Sequence, residues 1–332
     1  MSLRRAVRST AAYLFALALM TGCASSASPG TPEAESSNAP DENVRKYVSQ
    51  ALTFIEENSY KVATDESLDW KQLKAGAIED TANAQTVEGT HAVIDDVLLE
   101  ASGDHSFFLT PEDLAETGTE DPVHPSGSVL GDGVVSLEIP AFNETAGGLA
   151  TRYADAAVDA INANQGEATC GWIVDLRDNT GGNMWPMIAS LTPFLPDGPV
   201  MSFVDGVGER SVVSVEADSV FSGEEHVTST TGSAPELADL PLAVLQSGDT
   251  ASSGEATLIS LLSREGVRTF GSPSAGYATG NVSSRLPDGS IIGVTQSRMA
   301  TADGTGYTGA IEPDVATDDP EQTAVAWLNS VC

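Results

Sequence analysis

The sequence has few positive charges and is strongly acidic. Its 332 residues carry 15 lysines and arginines against 48 aspartates and glutamates, for a formal net charge of −33 at pH 7. Lysine is absent after Lys74. Because binding to phosphates needs clustered lysine and arginine, this composition excludes nucleic acid as a default partner. It also disfavours adhesion to anionic lipid through surface charge and indicates a highly soluble surface.

Cysteine and histidine are also scarce, and their spacing is not that of a zinc site. No Walker or dinucleotide-binding fingerprint is present either, so the sequence predicts no metal or organic cofactor. The three cysteines and four histidines are Cys23, Cys170, Cys332, His91, His105, His124 and His226.

Residues 1–22 have the layout of a secretory signal peptide. Three arginines precede an apolar run over residues 11–20, which is too short for a stable membrane span. The run ends in two small residues and Cys23, which resembles a bacterial lipobox and implies lipidation of that thiol. Residues 23–40 are rich in serine, proline and alanine and predict a flexible tether. The chain would then be a lipoprotein on the extracellular face of the membrane, attached only through this lipid; the alternative is an ordinary secreted protein.

Cys170 and Cys332 remain as an even pair in an oxidising compartment. A disulfide between them would pin the C-terminus. The alternative is that Cys170 is buried and free.

The mature chain divides by its pattern into three parts. Residues 41–108 carry three stretches of helical period and predict a small helical subdomain. Residues 109–133 are rich in glycine, proline and acids and predict a long loop. Residues 134–332 alternate short apolar runs with helical stretches, which predicts an α/β core with parallel strands.

Two polar segments follow buried strands of this core. Ser252 and Ser253 lie between the apolar run 242–245 and a helix, where free N–H groups and the helix dipole stabilise an anion. A nucleophilic serine with an oxyanion hole needs such a position, although a serine there can also be a plain helix cap. Gly181 and Gly182 follow another apolar run, and they predict either a ligand-facing backbone or a simple turn.

Among the histidines, His105 is the best candidate for a general base. It lies between an aspartate and a serine, just before two phenylalanines, and such an acidic neighbour with an apolar wall suits a base. His91 falls on an apolar helical stripe and is interpreted as a packed core residue. His124 and His226 lie in acidic stretches and are expected to be solvated.

Taken in order along the chain, five short motifs resemble those of S41 peptidases, the tail-specific or C-terminal-processing serine proteases. The resemblance spans residues 41–318 and implies a crotonase- or ClpP-like core beside an N-terminal helical region. It implies that Ser252 is the nucleophile and that N–H groups of Ser253 and the Gly181–Gly182 loop form the oxyanion hole. The motifs are Asp104-His105-Ser106, Asp175–Gly182, Thr250–Glu255, Gly271–Asn281 and Gly309–Asp314.

Two departures from the family pattern narrow the prediction. Many relatives use a Ser–Lys dyad, but Tyr277 occupies the lysine position, so the resemblance points to the tricorn-type members that use serine and histidine, with His105 as the match. The acidic residue that would support the serine and histidine is Glu312 or Glu255. Relatives often insert a PDZ domain between the histidine motif and the core strand, and residues 109–133 are too few for one.

The sequence therefore predicts a lipid-anchored serine peptidase without a PDZ domain, acting on protein or peptide substrates. Ser252 would attack the carbonyl, and His105 would take and return the proton. One alternative is a non-catalytic peptide- or ligand-binding protein on the same fold, because fold alone does not decide function. A non-peptidase serine hydrolase is another.

Overall fold

The computed structural model describes residues 41–116, 122–144 and 148–332. The predicted signal peptide, the lipidated Cys23 and the tether lie outside these residues. Within the described ranges, no helix is long and apolar enough to cross a membrane. The α-helices are α1 (Glu42–Asn58), α2 (Tyr60–Thr64), α3 (Trp70–Asp80), α4 (His91–Ser102), α5 (Pro111–Glu116), α6 (Leu149–Asn164), α7 (Met184–Ala189), α8 (Ser253–Leu261) and α9 (Pro320–Val331).

All strands lie from Phe107 onward in the described ranges. They are β1 (Phe107–Leu109), β2 (Ser126–Gly131), β3 (Val134–Glu138), β4 (Gly171–Asp175), β5 (Gly198–Asp205), β6 (Arg210–Glu216), β7 (Ser219–Ser222), β8 (Glu225–Ser229), β9 (Leu242–Gln246), β10 (Val267–Gly271), β11 (Thr279–Arg285), β12 (Ile291–Ala300) and β13 (Val315–Ala316). The chain divides into two compact units. The described part of the first comprises residues 122–144, 148–280 and 297–332, and that of the second comprises residues 41–116 and 281–296.

The first unit is built on a six-stranded sheet with the order β13-β10-β9-β4-β3-β2. Neighbours from β13 to β3 are parallel, and β2 is antiparallel at the edge. Both faces of the central strands are buried: Ile173 and Ala243 pack with Leu328 of α9, while Trp172 and Val244 belong to the larger cluster that includes α6, α7 and α8. Burial on both faces explains the unbroken apolar runs, and the predicted parallel α/β core is confirmed.

A second, antiparallel sheet in the same unit was not predicted. Strands β5, β6, β7 and β8 pair in succession, and Ser202–Asp205 of β5 pairs with Ser297–Ala300 of β12. Its outer strands are only partly buried, so they lack the apolar runs that mark the first sheet.

The expectation of a continuous loop over residues 109–133 needs correction, because this segment holds α5 and β2. Strand β2 pairs with β3 on one side and is largely exposed. An exposed edge strand needs no apolar run, which is why its sequence shows no strand pattern.

The second unit contains the predicted N-terminal helices. Asp41 and Asp69 cap α1 and α3, accepting hydrogen bonds from the N–H groups of Asn43 and Gln72 at 2.9 Å each. Helices α1, α3 and α4 share one apolar cluster with Phe108 of β1 and residues of β12. β1 runs antiparallel to the start of β12.

Cys170 and Cys332 form a disulfide, with their Cα atoms 4.8 Å apart. The bond joins the residue before β4 to the residue after α9, so the C-terminus is pinned to the sheet that α9 covers. The disulfide hypothesis is confirmed, and the alternative of a free Cys170 is wrong.

Candidate active site

Ser252 lies in a sharp turn between β9 and α8. Its backbone angles are φ 51° and ψ −113°, and the Gly254 N–H donates to the Ala251 carbonyl at 2.7 Å, which closes the turn around it. These angles match the second residue of a type II′ turn, a position that normally takes glycine. A serine held in a conformation of this kind is strained, and such strain concentrates at functional sites.

A glycine loop packs directly against this turn. At Gly181, where φ is +104°, an added Cβ would lie 2.9 Å from the Ser252 Cβ and 3.0 Å from the Ser253 nitrogen. The Asn179 carbonyl accepts a hydrogen bond from the Ala251 N–H at 3.0 Å. No side chain fits between loop and turn at Gly181, so the strained Ser252 backbone is supported from outside the turn.

The backbone amides of the glycine loop differ in their partners. The Gly181 N–H donates to Asn179 Oδ1 at 3.0 Å, and the Asn183 N–H donates to the Phe142 carbonyl at 2.6 Å. The Gly182 N–H between them meets no acceptor among the residues that the structure describes. Ser253 is the first residue of α8, where helix geometry supplies no intrahelical acceptor for the N–H. These two amides therefore have the properties of oxyanion-hole donors.

The Glu255 carboxylate joins the Ser252 turn to a second loop. Oε2 accepts from the Ser252 N–H at 2.9 Å, while Oε1 accepts from Ser274 Oγ at 2.6 Å and from the Gly276 N–H at 2.9 Å. Glu255 is fully buried. Burial raises the pKa of this carboxyl, although these hydrogen bonds act to lower it. An ionised carboxylate suits the position because every neighbour named here donates.

The loop held by Glu255 leads into Tyr277, which the resemblance places at the position of a lysine. Gly276, with φ +86°, lets the backbone pass close to Ala310, where an added Cβ would lie 3.1 Å from the Ala310 nitrogen. Because the chain has no lysine here, no ammonium group can act as the base at this place.

The two candidate acids have different surroundings. The Glu312 side chain is exposed, whereas Glu255 is buried with both carboxylate oxygens hydrogen-bonded. Elsewhere in the Gly309–Asp314 motif the contacts are structural. The Ile311 carbonyl accepts from Gln246 Nε2 at 2.7 Å, and Asp314 Oδ2 accepts from the Thr269 N–H at 2.9 Å.

His105 belongs to the second unit, in the connection between α4 and β1. It is only 7% exposed. Burial lowers its pKa to about 4, so the imidazole is neutral at pH 7 and able to accept a proton. Its backbone carbonyl accepts a hydrogen bond from Asn281 Nδ2 at 2.8 Å.

The other histidines have contacts of a different kind. His91 Nε2 lies 2.9 Å from Asp288 Oδ2, and its ring lies 5.1 Å from that of Phe108, in agreement with a packed role. His226 is exposed, as expected, but it lies in β8. His124 is only partly exposed, with its ring 6.3 Å from that of Tyr153, so the expectation of a solvated side chain is only partly met.

Sequence reasoning missed Asn179, Gln246 and Asn281 as organising residues. Asn179 is buried, and its Nδ2 donates to the Ile139 carbonyl at 2.9 Å while its other atoms hold the glycine loop and the Ser252 turn. Its place inside the Asp175–Gly182 motif was the available signal. Gln246 and Asn281 carry no local signal, because their partners are distant in sequence.

Comparison with known proteins gives a consistent family. A family model described as Peptidase family S41 matches residues 133–317. The chain is 31% identical over 293 residues to the nisin-resistance protein of Lactococcus lactis subsp. lactis, covering 86% of this chain and 87% of that protein. It is 26% identical over 196 residues to the carboxy-terminal processing protease CtpA of Bacillus subtilis, covering 58% of this chain and 37% of that protein.

Solved structures share the fold. A lipoprotein from Streptococcus agalactiae superposes with a TM-score of 0.73 at 23% identity, covering 86% of this chain and 96% of that one. The photosystem II D1 C-terminal processing protease superposes with a TM-score of 0.63 at 16% identity, covering 85% of this chain and 94% of that one. Because the family model matches more than half of the sequence and a relative matches most of it, the chain belongs to peptidase family S41 and is a serine peptidase.

Proposed function

We propose that this peptidase hydrolyses peptide bonds with Ser252 as nucleophile and His105 as general base. The observation that carries the proposal is the strained Ser252 turn, closed by the Ala251–Gly254 hydrogen bond and packed on Gly181. A plain helix cap does not require a serine at a glycine position of a type II′ turn, whereas a nucleophile presented at a sharp turn does.

In the proposed reaction, Ser252 Oγ attacks the substrate carbonyl while His105 takes its proton. The negative charge that forms on the carbonyl oxygen is held by the N–H groups of Ser253 and Gly182. His105 then gives the proton to the leaving amine, and a water molecule hydrolyses the acyl-enzyme by the same steps. The neutral imidazole is the form that accepts a proton, and it is the form present at pH 7.

Glu312 and Glu255 remain the two candidates for the acidic member. The contacts of Glu255 support a different task, since its oxygens accept from Ser252, Ser274 and Gly276. Its carboxylate would fix the nucleophile's backbone, whether or not Glu312 assists the histidine.

A cell-surface location is part of the proposal. The basic and apolar segments ahead of Cys23 support export and lipidation. The fold shared with a structure described as a lipoprotein is consistent with it. Replacing Cys23 with alanine should release the protein from membranes or block its processing. Equal membrane binding of the variant and the wild type in a fractionation experiment would contradict lipid anchoring.

For the substrate, we propose a peptide. The relative that matches over most of its length is called a nisin-resistance protein, so nisin is the first peptide to test. The purified full chain would be incubated with nisin and with a generic peptide library, and products would be identified by mass spectrometry. Cleavage of the library without nisin would support a peptidase of other specificity.

The same preparation separates the alternatives. A fluorophosphonate probe should label Ser252 in the wild type and leave Ser252→Ala unlabelled. Labelling with ester turnover but no peptide cleavage would indicate a non-peptidase hydrolase. Peptide binding with neither labelling nor cleavage would indicate a binding protein and would refute the proposed function.

A further inference from the structure

A closed ring of hydrogen bonds surrounds the His105–Ser106 peptide in the second unit. Asn281 Nδ2 donates to the His105 carbonyl at 2.8 Å, and Asn281 Oδ1 accepts from Thr295 Oγ1 at 3.0 Å. Thr295 Oγ1 also lies 3.1 Å from Ser106 Oγ. Since the single Thr295 hydroxyl proton is used towards Asn281, Ser106 is the donor in that last bond.

All donors in the ring therefore run in one direction, from Ser106 through Thr295 and Asn281 to the carbonyl of His105. Aligned hydrogen bonds polarise one another and strengthen the set. The Thr295 N–H adds bonds to Ser106 Oγ at 3.2 Å and to Ser102 Oγ at 3.0 Å. These bonds join the end of α4 and the His105 loop to Thr295 of β12.

Packing does not demand this polarity. Thr295 is 7% exposed, and the strand before it places Ile292 and Val294 in the apolar cluster of the unit. Valine has nearly the shape of threonine, and an apolar pair of the right shape can replace a buried hydrogen bond at little cost. A buried polar ring is worth keeping where it fixes one backbone position.

We propose that Asn281 and Thr295 are positioning residues for His105: they hold its peptide group and thereby the direction of the imidazole. The proposal rests on the proposed role of His105 as general base. Neither residue touches the reacting atoms in this scheme, so their loss should reduce turnover without weakening substrate binding.

The variants differ in which bond they break. Asn281→Asp keeps the shape but replaces the donor to the His105 carbonyl with a carboxylate oxygen, which repels it. Thr295→Val keeps shape and charge but removes the hydroxyl, whereas Thr295→Ser retains it. The matched control is Thr81→Val in the same unit, because Thr81 is also buried and its hydroxyl donates to the Ala77 carbonyl at 2.7 Å.

The experiment measures kcat, KM, melting temperature and the histidine ring NMR signals of the full chain. We expect Asn281→Asp and Thr295→Val to lower kcat about 10- to 100-fold with KM within about twofold, since small misplacements of a catalytic group have effects of this size. Thr295→Ser and Thr81→Val should retain wild-type kcat. The His105 ring signal should be single and sharp in the wild type and broadened or split in Thr295→Val.

Thr295→Val provides a second, charge-neutral readout. Loss of the Thr295 hydroxyl loosens the hydrogen bonds around His105 and exposes the imidazole to water. The pKa of His105 should then rise from about 4 towards its ordinary value, and an NMR titration would report the shift. A merely structural role would lower the melting temperature and leave this titration unchanged.

The outcomes separate this proposal from the proposed function. Wild-type kcat and an unchanged His105 titration in both Asn281→Asp and Thr295→Val would overturn the positioning role, even if His105→Ala is inactive. Full activity of His105→Ala would instead refute the general-base assignment. In that case the imidazole NMR signals of His105 would still decide whether Asn281 and Thr295 order the histidine. If Asn281→Asp does not fold, Thr295→Val carries the test.

Discussion

Ser252 and His105 are held in place by different chemistry. The Ser252 turn depends on a buried charge and on close backbone packing, with Glu255 accepting its N–H and Gly181 lying against its Cβ. The His105 loop depends on neutral groups, in which an amide and hydroxyls form a directed ring. We expect a change in the close packing at Gly181 to cost more activity than the loss of one hydrogen bond beside His105, because no added side chain fits against the Ser252 turn.

Removing the reacting groups themselves should have the largest effect. Ser252→Ala and His105→Ala are each expected to lower kcat about 10⁴-fold or more, and the double variant should be no worse than either single one, because residues that act as a unit are not additive. Steady-state kinetics on a peptide substrate measure this. Tyr277→Phe is the control and should cost far less, since a tyrosine hydroxyl is a poor base at neutral pH.

Additive losses in the double variant would mean that the two residues do not share one step. If Tyr277→Phe and His105→Ala are each inactive as single variants, Tyr277 would instead belong to the proton relay. Either result would contradict the assignment of Ser252 and His105 as the nucleophile and the base of one reaction step.

The glycine support of Ser252 should give the next largest effect. In Gly181→Ala the new Cβ would meet Ser252 and Ser253 atoms at 2.9–3.0 Å, in addition to the strain of φ +104°. We expect at least a 100-fold loss of kcat and about 1–3 kcal/mol loss of stability from overpacking alone. Gly198→Ala is the matched control, because φ is +117° there but nothing lies within 4 Å of the added Cβ.

Chemical denaturation and fluorophosphonate labelling rates would measure the two effects separately. Both variants carry the backbone strain, so the difference between them reports contact with the Ser252 turn. Equal labelling rates for Gly181→Ala and Gly198→Ala would show that this contact does not support the nucleophile.

Changing the charge of the support should have a smaller effect. Glu255→Gln keeps the size but presents an NH₂ group to at least one of the donors at Ser252, Ser274 or Gly276, so we expect kcat to fall about 10- to 100-fold. Stability should fall as well, because the buried donor that faces the new NH₂ group loses its acceptor. Thermal unfolding and kinetics of the same sample would show whether activity and stability fall together.

The pH dependence sharpens this point. The raised pKa of Glu255 means that its ionised, hydrogen-bonding form is lost at a higher pH than for an ordinary glutamate. His105, with a pKa of about 4, loses its basic form only at lower pH. The acidic limb of kcat/KM should therefore be set by Glu255 in the wild type and move to lower pH in Glu255→Gln; an unmoved limb would assign it to another group.

The sign for stability is opposite at the two residues. Because His105 has a folded-state pKa below its unfolded value, its contribution to stability is complete above about pH 6.5 and is lost as pH falls towards about 4. The raised pKa of Glu255 makes its ionised form costly, so its contribution improves as pH falls through the folded-state value.

The same contrast explains what the sequence could predict. Strands buried on both faces give short apolar runs, such as Trp172–Val174 in β4, and Ser252 and Gly182 lie in short motifs after such strands. Local signals of this kind are readable in one dimension. The exposed edge strand β2 has no such pattern, so its sequence predicts a loop.

The ring of hydrogen bonds around the His105–Ser106 peptide could not be predicted from the sequence, for a physical reason. Its members come from the connection between α4 and β1, the start of β11 and the middle of β12, with Thr295 separated from Ser106 by 189 residues. Serine, threonine and asparagine are common everywhere, and only the tertiary fold makes these into one network. The His105 side chain was predicted from its neighbours, but what holds it was not.

The disulfide should affect activity least, and it tests whether the two regions respond separately. Cys170 and Cys332 lie in the unit of Ser252, where their bond closes a loop of 162 residues in sequence separation. Cys170→Ser together with Cys332→Ser should lower stability by about 2–4 kcal/mol, mainly because the unfolded chain gains freedom.

Hydrogen exchange should show loss of protection in α9 and β4, which pack together in this unit, and unchanged protection in α4 of the other unit. At temperatures where the variant is folded, kcat should stay within about twofold of wild type, because neither cysteine belongs to the Ser252 turn or to the hydrogen-bonded network around His105. A uniform loss of protection in both units would show instead that they unfold as one, and the local supports of Ser252 and His105 would then have to be compared at equal global stability.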